Sequence, residues 1–153
     1  MQLKDLHVKP GHLIRRAQQI AVAIFMEECA EFDLTPVQYA AMVAIRENPG
    51  TDATRLSSLI AFDRSTLGSV LERLEARRLV ARYASPQDKR IKALKLTSAG
   101  AGLLKRAEAS VRRAQDRILA PLSPDQRSKL VELLEQLVDL NNDASRAPLR
   151  LVV

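Results

Sequence analysis

Between Arg64 and Lys95 the hydrophobic spacing changes from three- and four-residue steps to alternation, and the chain's whole charge excess falls inside that change of period. Nine bases (Arg64, Arg73, Arg77, Arg78, Arg82, Lys89, Arg90, Lys92, Lys95) face three acids (Glu72, Glu75, Asp88) there. Elsewhere bases and acids balance, so the window carries all of the formal +6. Leu67, Val70, Leu71 and Leu74 turn one helix face to a core and leave Arg64, Ser65, Thr66, Ser69 and Arg73 largely elsewhere. Leu79–Ala84 and Ile91–Leu96 alternate or carry β-branched residues. Ser85-Pro86-Gln87-Asp88-Lys89-Arg90 between them is too polar for a core, so the pattern predicts a β-hairpin with a basic tip. A basic surface on a helix followed by a hairpin points to a polyanion, with DNA the first candidate.

The flanking sequence predicts helices. Pro10 suits a first helical turn, and Leu13, Ile14, Ala17, Ile20, Ala21, Ile24 and Phe25 carry the stripe onward, to about Phe32. Thr35-Pro36-Val37-Gln38 reads as a capping box with proline at the first helical position, and Asn48-Pro49-Gly50 ends the helix it starts. A short helix over Ala53–Ile60, capped by Thr51 or Asp52, is joined through Ala61-Phe62 to the one that Asp63 caps, which makes a helix-turn-helix. Thr97 caps a long helix, and Ser123-Pro124 opens a last one through about Asn141. The tail after Asp143 has no clear period and reads as loose, although Leu149-Arg150-Leu151-Val152-Val153 is apolar enough to dock somewhere. The end helices carry more apolar stripe than one small core covers, and a second copy of the chain is the simplest sink for the surplus.

Composition narrows the class. Hydrophobic residues make up 46% and aromatic residues only 3%, so the core is aliphatic, as helix-on-helix packing favours. The expected fold is mainly α. The single cysteine, Cys29, excludes an internal disulfide and fits a reducing cytosol; no secretory or spanning stretch is present, so a soluble cytoplasmic protein is expected. Cys29 admits a redox-sensor reading, but the acids around it (Glu27, Glu28, Glu31, Asp33) should raise its thiol pKa, which suits a packed thiol. Two histidines and one cysteine at unrelated spacing form no metal site, and no phosphate loop, nucleophile elbow or triad is visible. No cofactor, metal or catalytic residue is therefore expected, and the chain does not read as an enzyme.

Helix, tight turn, helix and hairpin together describe a winged helix-turn-helix. Asp63-Arg64-Ser65-Thr66, then Leu71, Leu74, Leu79-Val80, Arg82, Asp88-Lys89-Arg90 and Leu94-Lys95-Leu96-Thr97 with Gly100, resembles the multiple antibiotic resistance regulator (MarR) family from about Thr35 to Gly102. The resemblance implies a two-stranded wing, N- and C-terminal dimerisation helices, and homodimers on a near-palindromic operator in double-stranded DNA. It divides the chain into a dimerisation helix (1–34), a winged DNA-binding lobe (35–97), further dimerisation helices (98–143) and a tail (144–153). It implies that Ser65, Thr66 and Ser69 face the groove floor and that Arg64 and Arg73 lie near base edges or phosphates. Asp88 would steer Arg90 into the minor groove, and Lys89 and Lys92 would contact phosphates. Arg77 and Arg78 fit equally a solvated helix face with i,i+4 pairs.

A second group lies in the first helix. His12, Arg15 and Arg16 cluster within about one turn beside Leu13 and Ile14, with His7 just ahead, and could hold a small carboxylate against an apolar wall. Ion pairing of Arg15 and Arg16 across a dimer is the other reading. Family members often bind aromatic acids, so the resemblance implies a repressor released by a small anionic aromatic or heteroaromatic effector. The His7–Arg16 run and Thr35-Pro36-Val37-Gln38-Tyr39 are similar to repressors of nicotinate breakdown. That similarity implies a hydroxynicotinate, with Arg15 on its carboxylate, His12 on the ring or its oxygen, and Tyr39 in the same pocket. The main alternative is a non-specific architectural nucleic-acid binder without a ligand switch; a module that binds an acidic protein is a third.

Overall fold

A computed structural model describes residues 2–151, so Val152 and Val153, part of the apolar tail, lie outside the described residues. A short helix α1 (Leu3–Leu6), which the sequence pattern does not predict, precedes α2 (Pro10–Glu28). α2 stops four residues short of the expected Phe32. Ala30–Phe32 form a 3-10 turn, and Asp33 adopts a left-handed conformation with φ 47°. The Arg77 guanidinium braces the turn that follows, donating to the carbonyls of Phe32 and Asp33.

α3 (Pro36–Glu47) opens on the expected reciprocal cap: Gln38 N–H donates to the Thr35 hydroxyl at 3.2 Å, and Thr35 N–H to the Gln38 side chain at 3.0 Å. Asp52, rather than Thr51, caps α4 (Ala53–Leu59). The link to α5 (Arg64–Ala76) turns on Ala61 at φ 49°, held by Phe62 N–H to the Ser57 carbonyl and by the Ser57 hydroxyl to the Phe62 carbonyl. Asp63 caps α5 as expected, accepting from Ser65 N–H at 2.9 Å. Leu67, Leu71 and Leu74 are fully buried.

Arg78, at φ 56°, ends α5 by donating its N–H to the Glu75 carbonyl, and Leu79 N–H reaches back to Leu74. The wing follows as β1 (Val80–Ala84) and β2 (Lys92–Leu96), antiparallel, with Arg82 opposite Leu94. β2 also bonds the loop after α3: Gly50 N–H donates to the Leu94 carbonyl at 2.9 Å and Leu94 N–H to the Thr51 carbonyl at 2.8 Å. The wing is therefore anchored to the front of α4 as well as to α5.

α6 (Ser98–Leu119) starts against the root of the wing. Thr97 N–H donates to the Leu79 carbonyl at 3.0 Å, and the Thr97 hydroxyl caps Gly100 N–H. A Cβ on Gly100 would run into the Leu79 carbonyl oxygen and lie 2.9 Å from the Leu96 side chain, so only glycine lets the helix sit this close. α6 packs along α2 and over α3, so the flanking helices share a core with the winged lobe; Phe25, Cys29, Met42, Ile45, Leu104 and Ala107 belong to it. Glu28 receives Arg117 at 2.7 Å and Arg113 at 3.0 Å, and Glu27 receives Arg117 at 3.0 Å, which clamps the end of α2 to α6.

α7 (Pro124–Leu140) buries no residue. Leu133, Leu134, Leu137 and Val138 remain exposed on it, as do Leu13, Ile14 and Ile20 on α2. The tail is not loose: after a 3-10 turn at Asn142–Ala144 it folds back, and Arg150 N–H donates to the Ser58 carbonyl at 3.0 Å. No helix among the described residues is long and apolar enough to cross a membrane.

Two measurements check this packing. Gly100→Ala should cost about 1–3 kcal/mol in a urea melt, the usual range for forcing a methyl into a filled contact; an unchanged midpoint would mean that α6 can lift freely. Hydrogen bonds from Arg117 and then Arg113 hold the Glu28 carboxyl below the usual glutamate range. Because the folded value is the lower one, this stabilisation is present above the ordinary range and disappears as pH falls through the folded value. Thermal melts from about pH 5 to about pH 3 should show a steeper loss for the wild type than for Glu28→Gln; parallel slopes would contradict the clamp.

Candidate nucleic-acid interface

The start of α5, the start of α4 and the inner edge of the wing enclose an open cleft of about 290 Å³. Arg64, Arg82, Arg90 and Lys92 line it, with Asp52 the acid on its wall. Each element presents its cation for a local reason. Arg64 is the first residue after the Asp63 cap, and Lys92 and Arg90 stand at the wing's inner turn. Arg82 is drawn partly away by the Glu75 carboxylate at 2.8 Å, which ties β1 to α5. The sequence pattern does not place Arg82 in the site, because on β1 it shares a face with buried Val80 and its place in the cleft depends on how β1 leans on α5.

The wing tip is organised around Asp88. Its carboxylate accepts Arg90 N–H at 3.0 Å, Arg90 Nε at 3.1 Å and Arg90 Nη2 at 3.1 Å. The Arg90 side chain hydrogen bonds, followed by the one from its backbone N–H, hold Asp88 below the usual aspartate range. Arg90 is 91% exposed yet fixed in direction, the state that a groove-entering guanidinium requires. Lys89 is exposed beside it, and Lys95 lies over the Tyr83 ring at 5.4 Å on the wing.

Along α5, Ser65, Thr66, Ser69 and Arg73 are exposed. The hydroxyl hydrogens are committed locally: Ser65 to the Asp63 carboxylate at 2.8 Å, Thr66 to the Asp63 carbonyl and Ser69 to the Thr66 carbonyl. Their free lone pairs make the helix face an acceptor surface, suited to amino groups on base edges. Arg73 lies away from the cleft, lining a hollow with Asp33, Thr35, Gln38, Ala76 and Arg77. Arg77 belongs to neither a solvated helix face nor the cleft, because its guanidinium braces the turn after α2.

The second sequence-predicted group is split between surfaces. His7, in the turn after α1, and His12 stack loosely at 5.3 Å, and Arg15 lies 3.5 Å from His12 Nδ1 and bonds Gln19 at 2.9 Å; His12, Arg15 and Arg16 are exposed on α2. Desolvation, then the charges of Arg15, His7 and Arg16, lowers the His12 pKa, which favours the neutral ring beside the Arg15 guanidinium. Tyr39 instead lines an apolar hollow of about 410 Å³ with Val43, Leu59, Ile60 and Leu149. Ile14, on the same turn as Arg15, borders a second hollow of about 730 Å³ with Leu137, Val138 and again Leu149. Cys29 is fully buried, and burial followed by the charge of Glu28 raises its pKa, as a packed thiol requires. No group of three or more histidine, cysteine or acidic side chains among the described residues could hold a metal ion.

A helix-turn-helix with a hydrogen-bonded wing and four cations around the gap between them defines a winged helix-turn-helix protein with a cationic face beside its second helix. Comparison with known proteins identifies the branch. The model of the MarR family matches residues 32–91. The chain is 30% identical over 140 residues to the transcriptional repressor NicR of Pseudomonas putida, covering 92% of this chain and 89% of the relative. It is 31% identical to BpsR of Bordetella bronchiseptica, whose DNA binding is regulated by 6-hydroxynicotinic acid; the TM-score is 0.81, with 87% of this chain and 95% of BpsR covered. The repressor CouR bound to a 23-mer DNA duplex matches at 30% identity and TM-score 0.81, covering 90% of this chain and 98% of CouR. The chain belongs to the MarR family of winged-helix transcription regulators.

The wing geometry gives a test in which charge and positioning act oppositely. Removing an acid from a DNA-binding surface should tighten binding if only net charge matters. Asp88→Asn should instead weaken binding by about threefold to tenfold, because Arg90 loses its paired hold. Tighter binding in a fluorescence-anisotropy titration would show that Arg90 needs no steering.

Proposed function

We propose that this chain is a homodimeric, sequence-reading transcription repressor that a small aromatic or heteroaromatic carboxylate, of which 6-hydroxynicotinate is the leading candidate, releases from DNA in the cytoplasm. The convergence of Arg64, Arg82, Arg90 and Lys92 on one cleft between reading helix and wing carries the DNA half. In this reading Ser65, Thr66 and Ser69 of α5 meet base edges, and Arg64 and Arg73 meet base edges or phosphates. Arg90, steered by Asp88, enters the minor groove, and Lys89 and Lys92 hold phosphates. The exposed apolar faces of α2 and α7 support the dimer, since a second copy would cover both without a new surface. Two copies of α5 would then read half-sites about 34–36 Å apart.

The effector half rests on the α2 group and on the relatives. Arg15 supplies the cation for a carboxylate, neutral His12 a polar ring partner, and His7, Arg16 and Tyr39 the surroundings once a second copy closes the site. NicR is a repressor, and BpsR answers to 6-hydroxynicotinic acid, which favours a pyridine carboxylate over other acids. Such a ligand, lodged between the terminal helices and the winged lobe, would favour a lobe spacing that misses successive major grooves. Its leverage equals its difference in affinity for the two spacings.

A gel shift on the DNA upstream of the protein's own gene, repeated with 6-hydroxynicotinate and a panel of aromatic acids, tests both halves. A shifted band that one such acid dissolves is expected. Arg90→Ala should weaken binding to all duplexes and leave the dimer intact, whereas Arg15→Ala should keep DNA affinity and blunt the ligand response. Equal affinity for unrelated duplexes with a steep loss in salt would replace this reading with a non-specific architectural binder.

A further inference from the structure

The tail beyond α7 folds back onto the winged lobe. The Asn142 side chain grips Leu149 from both sides, donating to its carbonyl at 3.1 Å and accepting its N–H at 2.8 Å. This closes residues 142–149 into a compact loop. Leu149 then faces Tyr39, Val43, Leu59 and Ile60 of the winged lobe across an open hollow, and Arg150 N–H bonds the Ser58 carbonyl at the end of α4, which fastens the loop there. Arg150 neutralises Asp143 at 2.9 Å, so the acid inside the loop is already satisfied.

The loop presents one cation. Arg146 Nη2 lies 3.3 Å from Asp63 Oδ2, on the cap of α5, with its side chain 90% exposed. Asp63 Oδ1 is occupied by the N–H and hydroxyl of Ser65, so the cap functions without Arg146. An exposed pair of this kind contributes little to stability, and it does not explain why the loop is docked. A guanidinium carries five N–H donors, and the pairing with Asp63 leaves most of them open. The next residue along the chain from Asp63 is Arg64, which lines the cationic cleft. Arg146 therefore sits at the cap of the helix whose first residue lines the cleft, and it masks a carboxylate that would otherwise repel an approaching backbone.

We infer that the folded-back tail is part of the DNA-binding surface: Arg146, held beside the cap of the reading helix by the Asn142 and Leu149 anchors, bridges Asp63 and a backbone phosphate flanking the groove that α5 enters. The inference rests on the DNA reading of the cleft and adds a third cationic element to the helix and wing. Arg146 carries the phosphate interaction, while Asn142 and Leu149 are positioning residues. Its target is backbone, so it strengthens binding without choosing sequence.

The test uses the full chain, a duplex from upstream of its own gene, a scrambled duplex of equal length, and a potassium chloride series. Arg146→Ala should weaken binding to both duplexes by about threefold to tenfold. It should also reduce the log–log salt slope by about 0.9 for each phosphate that Arg146 neutralises, while Arg146→Lys keeps the slope. Leu149→Ala, which frees the loop without removing the cation, should shift affinity the same way while the circular-dichroism spectrum stays unchanged. Wild-type affinity and slope in Arg146→Ala, with Arg90→Ala still impaired, would overturn the role of the tail and leave the cleft standing. Weakened binding at an unchanged slope would also overturn it, by reducing Arg146 to a support for Asp63. If the wild type binds neither duplex, or Arg90→Ala binds as the wild type does, the reading of the cleft itself fails.

Discussion

The approach of α6 to the root of the wing fixes everything that the reading surface needs. Leu79 joins the turn that ends α5 to the first strand of the hairpin, and it offers its carbonyl to Thr97 at the start of α6. Gly100 allows that approach because it has no side chain to place against the same oxygen. Three elements therefore meet at one peptide group: the helix that would lie in a groove, the wing beside it, and the long helix leading away toward α7. A shift of α6 cannot leave the other two in place, since interiors are packed too tightly to absorb it. This is the physical route by which an event among the terminal helices would reach the DNA-facing side.

Two kinds of surface then divide the molecule. The lobe's exposed face is cationic, with Arg64, Arg82, Arg90 and Lys92 around one cleft. The terminal helices are the reverse, with Leu133, Leu134, Leu137 and Val138 on α7 and Leu13, Ile14 and Ile20 on α2 open to water. Water penalises the second arrangement and tolerates the first. Pairing of chains through the apolar faces would remove the penalty and at the same time set two cationic faces at a fixed separation.

Local chemistry made most of the fold legible in the sequence. Pro10, Thr35-Pro36, Asp63, Thr97 and Ser123-Pro124 mark helix starts within a residue, because caps and proline act on their own neighbours. The hairpin followed from alternation around a charged turn. What escaped depends on partners distant in sequence. The turn after α2 is held by Arg77, more than forty residues away, which binds the carbonyls of Phe32 and Asp33. Arg82 enters the cleft because β1 leans on α5. The tail docks because Arg150 N–H reaches the Ser58 carbonyl at the end of α4, far from it in sequence. No period in the local sequence encodes such pairings. The α2 cluster of His12 and Arg15 was legible as chemistry, but Tyr39 lies on another surface within one chain.

The central claim is that two copies of this chain set their reading helices in successive major grooves with wings on the flanking backbone. Hydroxyl-radical footprinting of the complex with DNA from upstream of its own gene measures that arrangement directly. The account predicts two protected patches related by a dyad, with centres about 10 base pairs apart. A single patch, or uniform protection along the duplex, would contradict it.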